Sequence, residues 1–332
     1  MRCPFDWLSV LVDDKMDKIG TVLFDKMGIA AESKAEGTVK VSRRMDSLIQ
    51  ITVVVENTVA MSFRTGIKQG LLGEHGLALL IEMEGRRWLF DTGRGKALMP
   101  NMEVLGIEAD SIDGLIISHT HMDHFGSMRA LLEKRSLSLP IYAHPSFFAR
   151  RYKKVADKLQ QKGVPWLREE LETLGAQFVL QSEPGFLAPT LWISGEIPRR
   201  WDFEALGDKY YIDEGSKEGP RPDILMDDQS LVLLGKNGAW IVTGCAHAGI
   251  CNVISYFKEQ FPGKRICGVI GGLHLYQADL LRIEKTSAIM KENSLALLAV
   301  GHCTGTKESW QLATSLDIEL TPLNTGETLR LE

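Results

Sequence analysis

Ile117-Ser118-His119-Thr120-His121-Met122-Asp123-His124 is the stretch that decides how this chain is read. A short apolar strand, Leu115 to Ser118, is expected to lead straight into it. In an extended backbone His119 and His121 lie two residues apart and project to the same side. Asp123 and His124 then swing inward as the strand gives way to a helix. Four ligand-type side chains within six residues can divide between two metal ions held about one bridging oxygen apart. Imidazole suits zinc, iron and manganese, and a carboxylate adds a harder ligand. Two ions at ~3.5–4 Å can acidify a water between them and clamp the charge that develops. The plain alternative makes these surface histidines at a helix start, with Asp123 as a cap. Three of the chain's eight histidines in six residues argue against it.

Two metal spheres need further ligands, and the candidates follow predicted strands. His247 stands in Thr243-Gly244-Cys245-Ala246-His247-Ala248-Gly249, His274 in Gly271-Gly272-Leu273-His274, and His302 after Ala299-Val300-Gly301. Ligands on glycine-flanked loops at strand ends converge readily on one rim of a sheet. By this reading His247 and His302 rank above His274. Glu74 and His75 precede a predicted strand and could line the pocket, although a turn role serves His75 equally well. His144, next to Pro145, reads better as a cap or loop residue.

Working outward, the pattern from residue 46 to residue 332 alternates short apolar strands with helices, as an α/β chain of two similar halves would. Strands are expected over residues 51–55, 77–82, 88–90, 115–118, 230–234, 239–243, 267–270 and 295–300. Helices are expected over 96–105, 127–134, 145–158, 166–174, 250–260, 277–292 and 306–315. Residues 185–228, rich in Pro, Gly and charge, read as a long insert or active-site loop. Residues 1–45 read as a separate extension, with Phe5, Trp7, Leu8, Leu11, Met16, Ile19, Leu23 and Met27 at roughly helical spacing.

The bulk numbers narrow the classes. A chain of 332 residues with 44% apolar and 24% charged residues is ordinary globular material. A net charge of −5 argues against a nucleic-acid partner, which would require a basic face. The five cysteines are scattered, with no CxxC pair, and suit a reducing cytoplasm rather than a disulfide framework. Asp6, Asp13 and Asp14 break any signal-peptide core. No stretch reaches the ~20 apolar residues of a membrane helix. A cytoplasmic enzyme of a small-molecule substrate is expected, with no membrane contact and with a homodimer left open.

The His-x-His-x-Asp-His run, preceded by a strand ending in Asp91-Thr92-Gly93, resembles the metallo-β-lactamase superfamily. That resemblance implies an αββα sandwich, of α/β (α+β) class, with the metals at one edge. A closer one rests on Glu74-His75-Gly76, Ser194-Gly195-Glu196-Ile197-Pro198-Arg199, Asp227-Asp228-Gln229, the His247 and His274 segments, and Gly301-His302-Cys303-Thr304-Gly305. These are similar to a subgroup named for 7,8-dihydropterin-6-yl-methyl-4-(β-D-ribofuranosyl)-aminobenzene-5′-phosphate synthase. The resemblance implies two divalent transition-metal ions, zinc first, with iron or manganese as alternatives. It assigns His119, His121 and His247 to one ion and Asp123, His124 and His302 to the other. Much of the superfamily carries a bridging Asp near the end of the strand at Thr243. Cys245 stands there instead, which leaves Cys245 and Asp228 as candidates for the bridge.

The activity expected first is a metal-dependent hydrolase that activates water on a small phosphate ester, lactone or thioester, with Asp123 also orienting the water. The alternative is a synthase or transferase acting on a ribose phosphate and a pterin-like or aromatic amine. Arg199, Thr304 and Gly305 are candidates to contact such substrates.

Overall fold

The strand Ala78–Met83 shows in six residues how this chain layers itself. Ala78 and Leu80 pack among buried residues of one cluster, while Leu79 and Ile81 pack in another on the opposite face. Successive side chains of a strand point to opposite sides, so a strand covered on both faces needs a continuous apolar run. The computed structural model describes residues 31–33, 39–41, 48–60, 69–205, 209–318 and 320–332. The chain divides into two units, residues 1–46 and 47–332. In the first, Ala31–Ser33 pairs antiparallel with Val39–Val41. The helix expected within residues 5–27 lies outside the described residues.

The second unit holds two seven-stranded sheets. Across the first the order is Ala176–Leu180, Leu139–Ala143, Gly114–Ile116, Arg86–Phe90, Ala78–Met83, Ile49–Val55 and Thr328–Leu331. Across the second it is Gly185–Ala188, Leu191–Ile193, Ser230–Leu234, Ala239–Thr243, Ile266–Gly271, Leu297–Val300 and Leu320–Pro322. Ile51, Leu79, Trp88 and Phe90 of the first meet Leu191, Leu231, Val242 and Ile270 of the second in one core. The outer faces are covered by helices. Leu98, Met102, Met128, Leu131 and Leu171 cover the first sheet, and helices Ile250–Gln260, Leu280–Glu292 and Thr306–Leu316 cover the second. The architecture is the αββα sandwich of two similar halves.

Two parallel runs set the position of the site. Arg86–Phe90, Gly114–Ile116 and Leu139–Ala143 are parallel in the first sheet, and Ala239–Thr243, Ile266–Gly271 and Leu297–Val300 in the second. Parallel strands deliver their carboxyl ends to one edge, where open α/β sheets place their ligand sites.

Two expectations are corrected. Residues 145–158 form no α-helix. A single 3-10 turn, Pro145–Phe148, is followed by strands Arg150–Val155 and Lys158–Lys162. Phe148, Tyr152 and Val155 have helical spacing, but backbone pairing on both edges of Arg150–Val155 wins over that local pattern. The segment 185–228, expected as a long insert or active-site loop, contains four strands. Gly185–Ala188 and Leu191–Ile193 complete the second sheet, while Tyr210–Asp213 and Arg221–Pro222 join the hairpin in a separate four-stranded sheet.

Candidate metal centre

The strand Gly114–Ile116 ends just before the motif, and His121 is the extended residue that caps the short helix Met122–Phe125. This geometry turns the motif's side chains to one place. His119 Nε2 lies 2.9 Å from His121 Nδ1, and His247 Nε2 lies 3.1 Å from the same Nδ1. A tetrahedral zinc with bonds of about 2.0–2.1 Å requires its nitrogens roughly 3.3 Å apart. His121 Nδ1 therefore stands close to metal-ligand spacing from both His119 Nε2 and His247 Nε2.

A second cluster adjoins the first. His124 Nε2 lies 3.1 Å from His302 Nε2, and Asp123 Oδ2 lies 3.6 Å from His302 Nε2 and 4.0 Å from His124 Nε2. Cys245 belongs to both: its Sγ is 3.2 Å from His124 Nε2, and it forms potential ligand groups with His119 and His247 and with His124 and His302. Asp228, the other candidate for the bridge, joins neither. Its Oδ2 accepts from the Ala248 N–H at 2.8 Å and steadies the His247 loop.

The backbone is forced into this shape. Asp91 (φ 63°), Ala246 (φ 53°), His274 (φ 49°) and His302 (φ 51°) all occupy the left-handed region. Non-glycine residues there cost of order 1–3 kcal/mol each and cluster at sites where surrounding structure holds them. Gly244 has a different reason to be glycine, because a Cβ on it would stand 2.1 Å from Ser118 Oγ. Close approach of the Cys245 loop to the motif strand needs that space.

A ring of partners fixes the imidazoles. Asp91 Oδ2 lies 2.6 Å from His124 Nδ1 and accepts from Ser118 Oγ, while its Oδ1 accepts from the Ser118 N–H. His302 Nδ1 sits 3.2 Å from Asn57 Oδ1, and Glu56 Oε1 accepts from the His302 N–H at 2.6 Å. Asp227 Oδ2 accepts from the Thr120 N–H at 2.7 Å and pairs with Arg151 Nη2 at 3.0 Å. Arg151 also pairs with Asp223.

Electrostatics separate the histidines by role. Burial lowers His121 and His302 to about 4, and drives His119 and His247 well below the usual imidazole range. These four offer neutral nitrogens at pH 7. His124 is buried too, but Asp91 overrides that and raises it to about 9. Against burial, the His75 hydrogen bond and the nearby imidazoles hold Asp123 well below the carboxylate range.

The remaining candidates have other placements. His75 Nε2 is 3.2 Å from Asp123 Oδ2 and its side chain is 57% exposed, so it sits at the mouth. The His274 ring lies 4.2 Å from that of His247, tilted by 55°, and His274 groups with Cys245 and Cys303 rather than with either histidine cluster. Glu74 accepts from the Arg94, Gly95 and Lys96 N–H groups and holds the loop after Asp91-Thr92-Gly93. Arg199 donates to the Ile224 and Leu225 carbonyls, and the buried Thr304 hydroxyl accepts from the Leu273 N–H. Gly305 (φ 85°) precedes the helix Thr306–Leu316. None of these last three presents its polar groups to the histidine clusters. His144, read as a cap, does accept from the Ser146 N–H at the 3-10 turn.

Sequence reasoning quoted Asp91 and Asp227 within motifs without giving them a role, and missed Arg151 and Tyr210. Asp91 had a signal, since a carboxylate ending a strand beside the motif can orient a ligand histidine. Asp91→Asn is expected to lower metal affinity at the His124 cluster by about 10–100-fold, the usual effect of removing such a partner. Competition with a chromophoric chelator measures this, and unchanged affinity would show that Asp91 serves the fold alone.

Comparison with known proteins agrees with this geometry. Residues 72–260 match the model of the metallo-beta-lactamase superfamily. The chain is 30% identical over 275 residues to the 7,8-dihydropterin-6-methyl-4-(beta-D-ribofuranosyl)-aminobenzene-5′-phosphate synthase of Methanocaldococcus jannaschii, covering 80% of this chain and 92% of that protein. The fold is similar to the crystal structure of a metal-dependent hydrolase of the beta-lactamase superfamily, with TM-score 0.71 and 24% identity over 86% of this chain and 99% of that one. It is also similar to zinc-bound PqqB from Methylobacterium extorquens, with TM-score 0.50 and 10% identity over 85% and 100% of the two chains. By its motif, its layers and these matches, the chain belongs to the metallo-β-lactamase superfamily, in the subgroup similar to that dihydropterin phosphate synthase.

Proposed function

We propose that this chain is a metal-dependent hydrolase with a dinuclear centre, acting on a small phosphate ester, lactone or thioester in the cytoplasm. The observation that carries the reading is the pair of adjoining ligand clusters that share Cys245. His119, His121 and His247 would hold one ion, and Asp123, His124 and His302 the other, with Cys245 between them. Zinc suits these imidazole and thiolate donors, and iron or manganese could replace it. Bound there, the ions would act as Lewis acids and make water nucleophilic near neutral pH.

The chain's own residues do the rest. Burial keeps four imidazoles neutral, so their nitrogens accept a cation without first losing a proton. Asp91 fixes the His124 ring so that only Nε2 faces the centre. Asp123 Oδ2, at 3.2 Å from His75 Nε2, can accept a hydrogen bond from the attacking water and orient it. The half-exposed His75 links that oxygen to solvent. Water oxygen bonds to the carbonyl carbon or phosphorus, the ester bond breaks, and the proton goes to the leaving oxygen or sulfur.

The 30% identical relative supports a second reading, a synthase that joins a ribose-phosphate-bearing aromatic amine to a pterin-like partner. One panel separates the two. Protein carrying two zinc equivalents should hydrolyse a phosphodiester, lactone or thioester, lose activity with chelator and regain it on reloading. If no class is hydrolysed while coupling of the two synthase substrates yields a product of summed mass less the leaving group, the hydrolase reading fails.

A further inference from the structure

The hairpin Arg150–Val155 and Lys158–Lys162 is the most basic stretch of a chain whose net charge is −5. Arg150, Arg151, Lys153, Lys154, Lys158 and Lys162 face a single acid, Asp157, in the turn. Its partner strand Tyr210–Asp213 places Tyr210 opposite Lys153 and Ile212 opposite Arg151. Cross-strand partners share a face, and residues two apart share it as well. Arg151, Lys153, Gln160, Lys162 and Tyr210 therefore lie on one face, and Lys154 on the other.

That face looks toward the metal centre. The Tyr210 ring lies 5.0 Å from the His121 ring and 6.4 Å from that of His247. Lys153 Nζ stands 5.9 Å from the Tyr210 ring centroid. The sheet is also fastened in place. Buried Arg151 pairs with Asp227, and the same Asp227 oxygen accepts from the Thr120 N–H between His119 and His121. A lever of one buried ion pair thus locks the register of the hairpin to the motif. An exposed lysine then stands one aromatic ring away from two metal-ligand candidates.

We propose that Lys153 and Tyr210 form a subsite for an anionic group of the substrate, with Lys153 neutralising the anion and the Tyr210 ring packing beside it. This rests on the reading of the histidine clusters as the reacting centre, and it narrows the substrate to small molecules that carry a phosphate or carboxylate. An ammonium beside an anion makes charge-assisted hydrogen bonds about twice as strong as neutral ones. A neutral ester gains nothing from it.

The test compares Lys153→Gln with Lys154→Gln. Both remove one positive charge from the same strand, so long-range attraction falls equally, but only Lys153 shares the face of Tyr210. Binding of inorganic phosphate is read by calorimetry in both zinc-loaded and metal-free protein. Lys153→Gln should weaken phosphate binding about tenfold, Lys154→Gln should match wild type within about twofold, and Lys153→Arg should restore most of the loss. An acetate arm distinguishes a general anion subsite, where both probes weaken, from one selective for phosphate; weakening of either probe by Lys153→Gln alone supports the subsite. Equal effects of the two glutamine variants, or binding untouched by Lys153→Gln, overturn it. Because the readout is binding, a Lys153 effect in a protein that hydrolyses nothing would uphold the subsite and sink the hydrolase reading alone.

Discussion

Cys245→Ala is expected to strip both metal positions at once. Its sulfur forms a potential ligand group with His119 and His247 on one side and with His124 and His302 on the other. Structural zinc sites bind with about 10–16 kcal/mol, which shared among four ligands is roughly 3 kcal/mol each. Losing one ligand from each sphere should therefore weaken both by about two orders of magnitude. Burial pushes the Cys245 thiol well above its ordinary range, so the thiolate forms only when a cation takes the proton's place. Metal content after dialysis against a competing chelator gives the answer. Two equivalents retained by Cys245→Ala would remove this sulfur from the centre.

The next largest effect separates the two clusters. His302→Ala should lose about one metal equivalent while His119, His121 and His247 still fill, because a missing ligand weakens its own sphere most. His247→Ala should do the converse, and the double variant should lose both. Each single loss is again worth about a hundredfold in affinity by the same division among ligands. The clusters touch through Cys245, so the double variant need not be additive. The arrangement proposed here does not survive if His302→Ala keeps full metal while His274→Ala loses an equivalent. His274, whose ring lies 4.2 Å from that of His247, would then be the ligand.

What the sequence disclosed followed from density and alternation. Three histidines and an aspartate in six residues are legible because no bland role needs them. Helix Ile250–Gln260 and strands Ser230–Leu234 and Ala239–Thr243 read correctly because short apolar runs bounded by glycine suit buried strands and their covering helices. The strand-end positions of His247, His274 and His302 were visible for the same reason. Arg150–Val155 was misread because its pairing partners, Lys158–Lys162 and Tyr210–Asp213, supply what its own sequence lacks. Tyr210 stood in a segment taken for a loop, so nothing local connected it to His121. Asp227 and Arg151 are 76 positions apart in the chain, and only the folded backbone reveals that they share one bond to the motif. Such long-range polar bonds leave no periodicity behind.

The last strand, Thr328–Leu331, returns to pair with Ile49–Val55, and Glu56 receives the His302 N–H across 246 positions. Vectorial synthesis therefore exposes the motif long before the far wall of its pocket exists. His124 and His302 are 178 positions apart, and a ribosome adding ~5–20 residues per second needs roughly ten seconds to half a minute to span them. For about the first two-thirds of that interval the nascent chain holds His119, His121, Asp123 and His124 without Cys245 or His247, and throughout it lacks His302, so the four residues form a loose chelator rather than a shaped cage. On the proposed arrangement, metal capture at full affinity waits until His302 has been made. The edge strand that seals the first sheet is made after every proposed ligand, so on that arrangement maturation of the centre would coincide with closure of the fold.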